Sequence, residues 1–94
     1  MYYTVRCDIA PGKQEAMDML MEQMKAFWMA QPGVKGFHVF NDMMEGWPER
    51  TVMVEVDDMA SLQHVLEMPE RKQFRKEFMD MAVSVQSQMM DMMM

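Results

Sequence analysis

The sequence predicts an α+β domain in which a four-stranded antiparallel sheet carries its helices on one face, in the order β-α-β-β-α-β. Three observations predict it. Apolar side chains alternate over the first nine residues, and they recur at spacings of three and four from about residue 13 to 30. They then alternate again in two segments joined by a Gly and Pro turn so short that only an antiparallel hairpin fits.

Each element has its own local reason. Tyr2 to Ile9 sets Tyr3, Val5, Cys7 and Ile9 against Tyr2, Thr4, Arg6 and Asp8, which is strand periodicity with strong β formers. Pro11 and Gly12 end it, with Pro11 suited to a helix start because its missing N–H has no partner to lose there. Ala16, Met17, Leu20, Met21, Met24, Phe27 and Trp28 then form one apolar stripe, with Glu15, Asp18, Glu22 and Lys25 elsewhere on the wheel. Gln31-Pro32-Gly33 stops this helix. Val34 to Met43 reads as the second strand, with Phe37 and Val39 on one face and His38 and Phe40 on the other. After the turn Glu45-Gly46-Trp47-Pro48-Glu49, Arg50 to Asp57 is the third strand, alternating Val52, Val54 and Val56 with Thr51, Met53 and Glu55.

Asp57 or Asp58 caps a second helix, whose inner side is Leu62, Val65 and Leu66 until Pro69 interrupts. A further helical piece starts at Glu70, with Phe74, Phe78, Met81 and Ala82 inward. Val83 to Met92 reads as a continuation of that helix or as a fourth strand. The strand is preferred, because Val83, Val85, Ser87 and Met89 alternate and the resulting order is the ferredoxin-like arrangement. One face of such a sheet is covered by helices. The other would carry Phe40 and Met53, too apolar for water, and a second copy packed sheet against sheet would cover it.

Composition narrows the function classes. At 94 residues the chain is one domain, since cores divide only beyond roughly 250 residues. Half of it is apolar and 26% charged, a globular balance. A net charge of -6 argues against nucleic acid or an anionic membrane as partner. One cysteine excludes an internal disulfide and points to a reducing compartment. The N-terminus alternates where a signal peptide would have its apolar run, and no window approaches the roughly 18 apolar residues of a membrane span. A cytoplasmic protein is expected.

Several runs resemble a known superfamily. They are Pro11-Gly12-Lys13 after strand one, Pro32-Gly33-Val34-x-Gly36-Phe37 entering strand two, and Val52-Met53-Val54-Glu55-Val56 followed by Asp58-x-x-Ser61-Leu62, then Leu66-x-x-Pro69-x-x-x-x-Phe74. In this order, and over nearly the whole chain, they resemble the dimeric α+β barrels, in particular the antibiotic biosynthesis monooxygenase branch of small quinol and polyketide oxygenases. The resemblance implies a homodimeric α+β barrel and, as activity, cofactor-independent monooxygenation of a quinol or other aromatic molecule. Members of that branch commonly have an aromatic residue two positions after the strand-three glutamate, where this chain has Asp57. In the haem-degrading branch a histidine ligates haem in the segment that here reads Phe74-Arg75-Lys76-Glu77-Phe78, so haem is not expected.

Few side chains carry chemistry. His38, mid-strand beside aromatics, is the candidate acid or base, against the plainer reading of a histidine at the dimer face. Tyr3, Cys7, Trp28, Trp47 and His64 are the candidate pocket residues. Cys7 has no evident partner base and reads equally as a small buried hydrophobe; His64 reads equally as a solvated helix residue. Trp28 and Trp47 are suited to shaping a cavity, Trp47 as a lid or a contact between copies. No spacing of His, Cys and carboxylates suggests a metal site, and no cofactor is implied. Arg71, Lys72, Arg75 and Lys76 place four of the nine basic residues on one helical face, which suits an acidic ligand or partner; with Glu70 and Glu77 flanking it, a solvated face with local ion pairs is the preferred reading.

Methionine is the outlier, at 18 of 94 residues beside three leucines and one isoleucine. Met17, Met21, Met24, Met53 and Met79 stand where leucine or valine would be ordinary and read as core. Met19, Met29 and Met68 do not follow a stripe. Engineered enrichment or compositional drift, an oxidant sink, and soft-metal binding by Met89-Met90-Asp91-Met92-Met93-Met94 compete to explain them, in that order. The functional expectation is therefore a monooxygenase-like protein whose cleft between helices and sheet takes a compact hydrophobic or aromatic ligand. A non-catalytic homodimeric binding or scaffold protein is the alternative.

Overall fold

The computed structural model describes residues 1–94. Its elements are β1 (Tyr2–Ile9), α1 (Gln14–Met29), β2 (Val34–Asn41), β3 (Arg50–Val56), α2 (Met59–Leu66), α3 (Pro69–Met81) and β4 (Ala82–Met90). The strands form one antiparallel sheet in the order β2-β3-β1-β4, the ferredoxin-like topology. Residues 82–90 are thus a strand. No helix is long and apolar enough to cross a membrane.

The second helical region is two helices, because Pro69 lacks the N–H that would continue α2 and holds Met68 extended (φ -68, ψ 138). Asp58 caps α2, its Oδ1 accepting from the Ser61 amide at 2.8 Å. Gly33, in the turn just before β2, has φ +83, and a Cβ there would run into the Ser61 side chain, so only glycine lets this turn sit against α2. At the other end, α3 passes into β4 without a loop, pinned by the Ala10 amide donating to the Met81 carbonyl at 2.8 Å.

Strand register decides which side chains face the helices. Tyr3 and Val5 lie opposite Val54 and Val52, which lie opposite Phe37 and Val39. Onto this face α1 sets Met17, Leu20, Met21 and Trp28, α2 sets Leu62 and Val65, and α3 sets Phe78. Each such side chain contributes roughly 1.5–3 kcal/mol by leaving water. Ala16 is exposed, so the α1 stripe begins one residue later than expected. Met53 is half-buried on the opposite face of the sheet and Met79 is exposed, so neither belongs to the core. Phe74 and Phe78 set the inward side of α3, and Met79 lies about 100° around from Phe78.

The outer face is mixed where an apolar surface was expected. Phe40 and His38 stand exposed beside half-buried Met53, but β4 lays polar groups across the rest. Arg6 donates to the Gln88 side chain, and Thr4, wholly buried, donates from Oγ1 to the Gln88 carbonyl at 3.1 Å.

Polar clamps hold the hairpin end of the sheet. Arg50 is buried at the start of β3, with Nη1 2.6 Å from Asp18 of α1 and Nε donating to Asn41 of β2 at 3.0 Å. Beside it the Ile9 amide donates to Glu49, and the Glu49 amide donates to Asp8.

Candidate functional site

Between α1, α3 and the middle of the sheet lies an apolar cleft. Tyr3 and Val52 form its floor, Trp28 stands on the α1 side, and Arg71, Phe74 and Arg75 come from α3. The strand alternation that buries Val52 and Val54 also aims Tyr3 at the helices. On α3, Arg71, Phe74, Arg75 and Phe78 follow the spacing i, i+3, i+4, i+7, so the two arginines share the inward face with the two phenylalanines.

The aromatic rings fix the walls. Tyr3 and Trp28 stack with centroids 6.2 Å apart and planes 29° apart, Trp28 meets Phe27 edge-on at 6.4 Å, and Phe27 meets Phe74 at 5.4 Å. Across the mouth, Arg71 Nη2 donates to Tyr3 Oη at 3.2 Å. Neither Arg71 nor Arg75 forms an ion pair, so the only charges on the lining are two uncompensated cations in a chain of net charge -6. No Asp, Glu or His lines the cleft.

The cleft, open to solvent on one side, has a volume of about 40 Å³. A cavity that holds benzene measures roughly 150 Å³, so a whole aromatic ring does not fit inside the cleft as it stands. Chemically, such a cleft strips water from an aromatic body and presents a guanidinium and a phenol to an oxygen at its edge. It offers no side chain that takes a proton near neutral pH.

The candidate residues separate into two groups. Tyr3 and Trp28 come together in the cleft. Cys7 lies in the core beside Arg50, with no exposure at all; burial pushes its thiol up to about 11, against the opposing pull of the Arg50 charge. His38 is on the outer face, its ring 6.3 Å from that of Phe40, because it alternates with inward-facing Phe37. Trp47 is exposed in the loop between β2 and β3, and His64 is exposed on α2. No three His, Cys, Asp or Glu side chains converge on a point that could hold a metal ion. Arg71 and Arg75 are not among the expected pocket residues, because a solvated face was the preferred reading of the basic run of α3 over one that attracts an acidic ligand. Their spacing from Phe74 and Phe78 was the available signal.

No protein-family model matches the chain, and no curated protein sequence does. Solved structures match it along its length. SnoaB, a cofactor-independent oxygenase from Streptomyces nogalater solved as a variant, superposes with a TM-score of 0.87 at 11% identity, covering 99% of this chain and 92% of that one. An antibiotic biosynthesis monooxygenase superposes at 0.79 with 16% identity and 98% coverage of both chains. The chain has the fold of the antibiotic biosynthesis monooxygenases. A dimeric protein of ferredoxin-like fold from Bacteroides fragilis is similar too, with a TM-score of 0.65, 15% identity, and 92% and 89% coverage. At these identities the likeness to the monooxygenases is one of fold, and the chemistry has to be argued from the cleft.

Proposed function

We propose that the cleft binds a compact aromatic molecule bearing an acidic hydroxyl, a quinol or phenol, and that the chain is a cofactor-independent monooxygenase of such molecules. The observation that carries this reading is the pairing of Arg71 with Tyr3 on an otherwise apolar lining. Aromatic walls take the ring, and the cation favours the ionised form of the hydroxyl, which is the electron-rich form that reacts with oxygen. The substrate supplies all four electrons: a ring C–H carbon gains an oxygen atom and becomes a carbonyl, a ring hydroxyl loses its hydrogen to become a second carbonyl, and the other oxygen atom of O₂ leaves as water, so a phenol or quinol is released as a quinone. With no base on the lining, the hydroxyl proton leaves through the mouth to solvent.

The same reading makes the protein a homodimer joined through the outer sheet face around Phe40, His38 and Met53. Sedimentation should give a 22 kDa particle at micromolar concentration, twice the 11.2 kDa chain, and Phe40→Asp should give the monomer. The deciding experiment for activity is oxygen uptake with a panel of anthrones, quinols and naphthols. Uptake that requires the folded protein and falls in Arg71→Leu supports the oxygenase. Binding of the same molecules with no uptake would identify a non-catalytic binding protein instead, which the absence of a lining base favours.

A further inference from the structure

Methionine is segregated by depth in a way that uniform drift from leucine does not produce. Of the 14 buried hydrophobic side chains in the core, two are methionine, Met17 and Met21; of the 14 large hydrophobic side chains that stand exposed, ten are. The three leucines and the isoleucine run the other way: Leu20, Leu62 and Ile9 are buried and Leu66 is half-buried. A general substitution of methionine for leucine would load the core at least as heavily as the surface. The remaining six methionines, Met1, Met24, Met53, Met68, Met81 and Met90, are half-buried, so ten of the 18 stand exposed and only two lie in the core.

The exposed thioethers are also distributed. Met19, Met29, Met59 and Met79 sit on the solvent sides of three helices, Met43 and Met44 in the loop between β2 and β3, Met89 near the end of β4, and Met92, Met93 and Met94 at the terminus. All ten are at least 43% exposed, and none lines the aromatic cleft. Nothing in this spread makes a binding patch. What the ten share is a side chain open to solvent, from 43% at Met89 to complete exposure at Met94, where an added polar oxygen can meet water.

We infer that this surface is a renewable sink for oxidants of the peroxide and hypochlorous acid class. With a peroxide the sulfur lone pair attacks oxygen, the O–O bond breaks as the S–O bond forms, and the peroxide leaves as water. With hypochlorous acid the lone pair takes chlorine as hydroxide departs, and water then displaces chloride to give the same sulfoxide with release of a proton; in both cases the thioether loses two electrons. A sulfoxide is polar and chiral, so it is disruptive in a packed core but harmless in water. Restricting methionine mainly to exposed positions lets the chain absorb about ten oxygen atoms while its fold persists. Methionine sulfoxide reductases with thiol reductant return the sulfoxides to thioethers, so the capacity renews. This inference stands apart from the chemistry of the cleft.

The test uses the intact chain titrated with hypochlorite, from one to fifteen equivalents, read by intact mass, peptide mapping and near-ultraviolet circular dichroism. We expect stepwise gains reaching ten oxygens at the exposed positions, with Met17 and Met21 unmodified and the folded signal kept. Treatment with the A and B reductases should restore the starting mass. A variant carrying glutamine at 43, 44, 92, 93 and 94 should keep its thermal midpoint and take up five fewer oxygens before the core is reached. A single-methionine reporter peptide in the same tube should be spared by the native chain and less so by the variant. Loss of the folded signal within the first three oxygens would overturn the inference, as would oxidation of Met17 and Met21 at the rate of the tail, or a reporter no better protected by the native chain than by the variant.

Discussion

Arg71 donates from Nη2 to Oη of Tyr3 across 3.2 Å, tying the first turn of α3 to β1 at the mouth of the cleft. The bond aims a cation that has no carboxylate partner, and it leaves the Tyr3 hydroxyl proton free to be donated to a ligand. Both groups thus stand together at the cleft, as donors for an oxygen on a ligand of the proposed class.

The first prediction concerns that pair. A hydrogen bond to a charged group is worth about 1.5–3 kcal/mol and a neutral one about 1, so Arg71→Leu should weaken 2-naphthol binding roughly 10- to 100-fold and Tyr3→Phe several-fold. Because the cation favours the naphtholate, affinity should rise with pH until the free naphthol is itself ionised. Calorimetric titration between pH 7 and 10 checks both statements. Equal affinities in the native and Arg71→Leu proteins would refute the role given to Arg71.

A second prediction follows from Arg50, a buried cation whose carboxylate partner, Asp18, lies on another element. Removing Asp18 leaves the guanidinium held by Asn41 alone, so Asp18→Ala should destabilise the fold by about 1–3 kcal/mol. Arg50→Met should cost less than the buried charge left unpaired, because a well-packed apolar group is a tolerated replacement for a buried ion pair. Urea melts of the two single variants and the double variant measure the coupling directly. Additive effects would show that the pair contributes nothing to stability.

Much of the fold was legible because period is a local property. Tyr3, Val5, Cys7 and Ile9 alternate whatever lies around them, and the Met17, Leu20, Met21, Trp28 spacing defines a helix face before any partner is known. Even the ambiguous segment after α3 was decided by topology, since a fourth strand completes the sheet beside β1. The cleft was less legible. His38 looked chemical among aromatics, but the alternation that faces Phe37 inward turns it to the outer face. The spacing of Arg71 and Arg75 already put them on one helix face with Phe74 and Phe78, but only the packing of α3 on the sheet shows that this face lines the cleft. Which side of a basic helix meets the sheet is a tertiary fact.

Cys7 yields a prediction about alkali. Its thiol is raised from 9.0 to about 11 by burial, so the native state holds its proton more tightly than the unfolded chain does. The stability this contributes is complete below pH 9 and is lost as pH rises toward 11. Cys7→Ala removes that component, so the native protein should lose more stability than the variant between pH 8.5 and 10.5. At pH 8 the native thiol should also resist iodoacetamide until urea unfolds the chain. Rapid alkylation of the folded protein would show that the thiol is accessible after all.

The last prediction separates the two kinds of methionine by stability. Met17 and Met21 pack in the core beneath α1, Met17 with no exposure at all. Leucine matches methionine in volume, so Met17→Leu and Met21→Leu should each change stability by less than about 1.5 kcal/mol. Met17→Ala leaves a cavity and should cost about 2–5 kcal/mol. Met19 is exposed on the same helix, so Met19→Ala should shift stability by no more than about 0.5 kcal/mol in either direction. The contrast between Met17 and Met19, two residues apart and about 200° around the helix, is the decisive comparison in urea melts. A large loss at Met19, or none at Met17→Ala, would mean that α1 presents a different face to the sheet.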